Sequence, residues 1–186
     1  MAIIGTADHS GWAIAVTVDG NRKLIDRRKI SLLEEGLPIL PIHHDAQELD
    51  PADAETLVDK VRVSAEESSK ASLEKMLREI SVPVNGIVIR KLQEIPDDLQ
   101  TCIRDYRINT FADSVMYRKA LMKSAEELGL AIYWYERKTV FKIAQEQHPQ
   151  IQIEPFLTEL GKTLGPPWQK DHRMAMAAAM SIATDQ

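Results

Sequence analysis

The chain has 186 residues, 44% hydrophobic and 27% charged, with a formal net charge of −5 and a single cysteine, Cys102. That length suffices for one sizeable core, and the composition excludes disordered, collagen-like and coiled-coil classes. The acidic balance argues against a general nucleic-acid coat, which needs clustered Lys and Arg, and one cysteine permits neither an internal disulfide nor a Cys-x-x-Cys zinc site. No charged n-region with an apolar run of signal or membrane-span length opens the chain, so a single cytoplasmic domain over 1–186 without membrane contact is expected.

Residues 2–7 and 12–18 are apolar and rich in Ile, Val and Thr, with "ADHSG" between or within them. Asp19-Gly20-Asn21 supplies the positive φ angles of a tight hairpin, so 23–30 is the returning strand. "PILPIHH", 38–44, predicts a further strand, placed at an edge by its prolines, and the chain opens as a three-stranded meander. His43 and His44 would then point to opposite faces and make no metal pair.

Asp50 as N-cap and Pro51 at the first helical position begin a long amphipathic helix, with Val61, Ala65, Met76 and Ile80 on one stripe. "VNGIVIRKL", 84–92, has the continuous apolar run of a central strand. A helix follows with Leu121, Ala125 and Leu128 on one face and Gly129 as its cap, then a buried strand at 131–135. This strand, helix, strand order predicts a right-handed crossover between parallel strands and fixes the α/β class. Helices are expected at "RKTVFKIAQ", "EPFLTELGKTLG" and the closing Ala/Met run, whose small side chains let a helix lie close to a sheet.

Three stretches carry a resemblance: "IIGTADHSGWAIAVTV", "SVMYRKALMKSAEELGLAIYWYERKTVFKIA" and "DHRMAMAAA". They resemble, in order, the opening strand with its acid, the helix–strand–basic segment, and the closing D-x-x-D-A-x-A-x-A helix of the RuvC-type Holliday-junction resolvases in the ribonuclease-H-like superfamily. The resemblance implies a ribonuclease-H-like mixed five-stranded sheet, an antiparallel three-stranded meander plus two parallel strands, flanked by helices. It also implies Mg²⁺ as cofactor, branched DNA as partner and a homodimer.

Two-metal phosphodiester hydrolysis needs several carboxylates converging on ions roughly 4 Å apart. By the resemblance Asp8 and Asp171 are the catalytic, metal-binding acids; His172, next to Asp171, is a further candidate ligand. Arg137, Lys138 and Lys142 crowd one basic site and are the candidate phosphate contacts, Lys142 matching the basic residue that follows the last strand in that family. The remaining two acid positions are occupied by Arg90 and Met174; Met offers no hard oxygen ligand, and a guanidinium repels a divalent cation. Glu94, Asp97 or Asp98 would have to replace the missing Glu.

The expectation is a nucleic-acid-associated RuvC-like protein with weak or absent metal-dependent nuclease activity. The alternatives are an active Mg²⁺-dependent structure-selective endonuclease and a non-catalytic protein-interaction module. Plainer roles stand beside these: Asp8 in a turn, Asp171 as N-cap of the last helix, and the basic run Arg22, Lys23, Arg27, Arg28, Lys29 as a solvated face. Trp12 and Trp134 are expected in the core and Trp168 on a contact surface.

Overall fold

The structure, a computed structural model, describes residues 1–182. Three strands open the chain, β1 (Ala2–His9), β2 (Trp12–Asp19) and β3 (Leu24–Ser31). After them come α1 (Pro51–Glu79), β4 (Val84–Arg90), α2 (Leu99–Arg104), α3 (Tyr106–Glu127) and β5 (Ala131–Tyr135). The chain then runs through α4 (Val140–Gln147), α5 (Ile153–Leu164) and α6 (Lys170–Met180). The sheet has the order β3-β2-β1-β4-β5. β1 is antiparallel to β2 and parallel to β4, and β4 is parallel to β5, so the expected mixed five-stranded sheet is present.

The meander differs from expectation in its parts. Within "ADHSG" only Ser10 and Gly11 form the turn, with Gly11 at φ 79°; Ala7, Asp8 and His9 still belong to β1, where His9 pairs with Trp12, so 2–18 contributes two of the meander's strands and Asp8 is a strand residue, not a turn residue. The segment 38–44 is not a strand; Pro41–Asp45 forms a single π turn. Asp113 of α3 decides this, because its carboxylate oxygens each accept one backbone N–H, from Ile42 and His43, at 2.9 Å. Those donors would otherwise belong to a strand ladder. His43 and His44 therefore do not alternate across a sheet; their rings meet edge-on at 4.4 Å, and His43 Nδ1 lies 3.0 Å from Asn109 Oδ1.

Local signals hold elsewhere. Asp50 caps α1 through the N–H groups of Ala52 and Asp53, and Gly129 takes φ 71° just beyond α3. α2 was not foreseen; Asp98 caps it by accepting from Thr101, which commits that carboxylate to the helix start.

The sheet separates two apolar cores. On one face Ile4, Ile87 and Ile89 pack with Val61, Leu73 and Met76 of α1 and Tyr117 and Leu121 of α3. On the other, Ile3, Val16 and Val88 pack with α4, α5 and the Ala/Met helix α6. α6 lies so close to β1 that a Cβ on Gly5 would stand 1.8 Å from the Ala175 carbonyl oxygen. The thinness of α6 is thus matched by a glycine on the strand it covers. Among the described residues no helix is long and apolar enough to cross a membrane.

Candidate functional site

Because β1, β4 and β5 run parallel, their C-terminal ends bring Asp8, Arg90 and Tyr135 to one edge of the sheet, where α/β proteins place their clefts. α6 begins at the same edge and delivers Asp171 and Met174; α3 delivers Ser114 from the opposite layer. Together with His9 and Arg137 these side chains line a cavity of about 210 Å³.

Asp8 is the centre of this arrangement, its side chain only 1% exposed. Its Oδ2 accepts from Arg90 Nη2 at 2.6 Å and lies 3.2 Å from Arg118 Nε. Arg118 is itself buried and donates to the carbonyl oxygens of Ser114 and Lys91, to Ser114 Oγ and to Gln93 Oε1. Burial lowers the Arg118 pKa, the Asp8 carboxylate opposes that shift and the Arg90 charge reinforces it. Within this cluster two buried polar atoms, Asp8 Oδ1 and Arg90 Nε, have no hydrogen-bond partner among the described residues.

Asp171 stands apart from the Asp8 cluster in its pairing. Its Oδ2 lies 3.0 Å from His9 Nε2, and the His9 ring stacks on Trp12 with centroids 4.1 Å apart. β2 lies between β1 and β3, so His9 approaches Trp12 from one side and Lys29, with Nζ 4.4 Å from the ring centroid, from the other. Asp171 is not the N-cap of α6: Gln169 is, in a capping box with His172, and Asp171 sits in the first turn, where its charge suits the helix dipole.

His172 does not face the cavity. Its Nδ1 accepts the Gln169 N–H at 3.3 Å, its ring lies 5.8 Å from that of Trp168, and burial lowers its pKa. Tyr135 is buried beside Asp8, and burial followed by that negative charge raises its pKa, which keeps the phenol protonated.

Arg137 reaches the cavity rim, whereas Lys142 belongs to a neighbouring groove and pairs with Glu146 at 3.8 Å; Lys138 is exposed and lines neither. Glu94 and Asp97 are exposed and also lie outside the cavity. Among the described residues no group of three or more His, Cys, Asp or Glu side chains converges as a metal site would require.

Two residues of the basic hairpin run are tied down internally. Arg27 donates to the carbonyl oxygens of Leu164, the last residue of α5, and of Gly165 and Pro167 just beyond it, and Arg28 bridges Asp26 and Glu79. Trp12 packs against the core as expected, but the other two tryptophans depart from expectation. Trp134 is 43% exposed because it sits on edge strand β5, and Trp168 is partly buried, with its ring over Gly161 and its Nε1 donating to Leu157.

No protein-family model matches the sequence, and no curated protein matches it significantly. Solved structures do match. RuvC from T. thermophilus in complex with a Holliday-junction substrate superposes with a TM-score of 0.57 at 12% identity, over 97% of this chain and 91% of that one. A second Thermus thermophilus RuvC structure gives 0.52 at 13% identity, over 97% and 92%. The fold is RuvC-like. Asp8, Arg90, Asp171 and Met174 line one cavity, while His172 and Lys142 do not.

Arg118 is the site residue that sequence reasoning passed over. A signal existed: continuing the buried stripe of Ala125 and Leu121 back by three and then four residues reaches Arg118 and Ser114. A charged residue on such a stripe needs a buried partner.

Proposed function

We propose that this RuvC-like chain binds nucleic acid and cuts it weakly or not at all. The observation that carries the reading is Asp8 held between Arg90 and Arg118. A magnesium centre uses carboxylate oxygens free to face the ion. Here one Asp8 oxygen faces two guanidinium groups, Asp171 is paired with His9, and Met174 stands on the α6 face that lines the cavity. The unpartnered Asp8 Oδ1 is a single oxygen, too little to hold two ions against adjacent cations. This donor set does not fit a two-metal site, and no catalytic step is assigned to it.

The same charges favour an anion. Two carboxylates, Asp8 and Asp171, are set against three guanidinium groups, Arg90, Arg118 and Arg137. Arg90 is partly open to solvent and Arg137 is exposed at the rim, so the cleft offers planar donors suited to a phosphodiester. Branched DNA, a homodimer and a cytoplasmic site of action belong to the same reading.

Mobility-shift and cleavage assays on branched and linear DNA and RNA, with Mg²⁺ or Mn²⁺, test it. Binding that weakens with salt and little or no cutting are expected. Metal-dependent cutting abolished by Asp8→Asn would overturn the loss of nuclease function; absence of binding even at low salt would overturn the nucleic-acid role.

A further inference from the structure

Trp134 is a large aromatic side chain on an edge strand, 43% exposed. The other two tryptophans are covered: Trp12 by His9 and Lys29, Trp168 by Gly161 and the approach of His172. Trp134 instead opens onto a groove of about 750 Å³ shared with Leu92, Ile143 and Thr139. That volume lies within the roughly 300–1,000 Å³ typical of small-ligand sites.

The groove adjoins the Asp8–Arg90 cleft. Tyr135 lines both, and Lys91, which lines the groove, directly follows Arg90. Its surroundings carry Lys91, Arg137, Lys138 and Lys142 against Glu136 and Glu146. Lys91 pairs with Glu136 at 3.5 Å and Lys142 with Glu146 at 3.8 Å, both exposed pairs of the kind that contribute little and open readily. Arg137 and Lys138 have no carboxylate partner among the described residues. The edge thus combines an open aromatic face with excess positive charge, the pairing that single-stranded nucleic acid recognises.

We infer that the Trp134 groove is a stacking subsite for an unpaired nucleobase, whose neighbouring phosphate lies toward Arg137 and the Asp8–Arg90 cleft. The inference rests on the nucleic-acid reading above and adds its selectivity. A base within a duplex has both faces covered by its neighbours and cannot reach Trp134; an unpaired base can.

Fluorescence anisotropy at low salt, with a short oligothymidine, an abasic strand of the same length and a duplex, tests it. The wild-type chain is expected to favour the oligothymidine over the abasic strand. Trp134→Ala is expected to lose at least about fivefold on the oligothymidine, with little change on the duplex, and to remove the preference over the abasic strand. Trp134→Phe is expected to restore most of it. A preference unchanged in Trp134→Ala, or an equal loss on the duplex, overturns the subsite while leaving nucleic-acid binding intact. A Trp134→Ala chain that sediments as a smaller species than wild type overturns it in favour of a second copy on this face. Absence of binding to all three probes overturns both the subsite and the nucleic-acid role.

Discussion

Arg90, at the end of β4, donates to the buried Oδ2 of Asp8, at the end of the neighbouring parallel strand β1, over 2.6 Å. Arg118 reaches the same oxygen from α3 at 3.2 Å. One carboxylate is therefore shared as counter-ion by two guanidinium groups brought together by different parts of the fold, and the trio keeps a net positive charge. Asp8 is built into the architecture as a counter-ion, and its removal would leave two cations facing each other.

Asp8→Asn is accordingly expected to destabilise the protein by about 3–5 kcal/mol, the range found when one partner of a buried pair is removed. Urea unfolding measures it. A cluster of acids awaiting metal behaves in the opposite sense, because deleting one acid relieves repulsion; a gain in stability would contradict the counter-ion role.

Arg90→Glu replaces the cation with a second carboxylate beside Asp8 and leaves Arg118 as the remaining counter-ion. The variant is expected to unfold at a lower temperature than wild type and to recover part of the loss on addition of millimolar Mg²⁺, since divalent ions bind converging carboxylate oxygens. Wild type is expected to show no such shift. Differential scanning calorimetry with and without the ion reads both.

Gly5→Ala places a methyl group 1.8 Å from the Ala175 carbonyl oxygen and 2.7 Å from the Ala179 nitrogen. Both atoms are helix backbone and cannot rotate aside, so α6 must move off β1. A loss of about 3 kcal/mol, the upper end of ordinary overpacking, is expected from the shift in urea midpoint. Because α6 carries Asp171 and Met174, the cavity is expected to distort with it.

Among the described residues Asp113 is the buried acid outside the cleft. Burial pushes its carboxyl up from 3.8 to about 6, against the two backbone N–H groups that lower it. The folded chain therefore binds this proton more tightly than the unfolded chain does. The contribution to stability is fully present below pH 4 and is lost as pH rises to about 6, a decline of about 3 kcal/mol that levels off above. Asp113→Asn is expected to remove that slope. It also leaves one N–H of the Pro41–Asp45 turn without an acceptor, at a cost of about 1–3 kcal/mol, so its stability–pH curve should run lower and flatter between pH 4 and 6. Denaturant titrations across that interval check the sign.

Much of the fold was legible because its signals are local or periodic. Asp50 and Pro51 announce α1, Asp19-Gly20 announces the β2–β3 hairpin, and the continuous apolar run ending at Arg90 marks a strand covered on both faces. The segment 38–44 misled because its apolar residues and prolines suit an edge strand as well as a π turn, and the deciding acceptor, Asp113, lies 71 residues further along the chain. Trp134 misled for a related reason. "AIYWY" reads as a buried strand, but exposure depends on whether another strand lies beside β5, and β5 is the last in the sheet.

The candidate site divides in the same way. The sequence alone determined which residue types the chain offers for a site, Asp8 and Asp171 with Arg90 and Met174, because residue type and spacing are properties of the chain. Only the tertiary structure decided whom each one meets. Asp8 meets Arg90 and Arg118, Asp171 meets His9, and His172 turns into a capping box instead of the cavity. Strand ends are fixed by sheet register and helix starts by layer packing, so pairings between residues more than 80 positions apart follow from the assembled sheet rather than from any one segment.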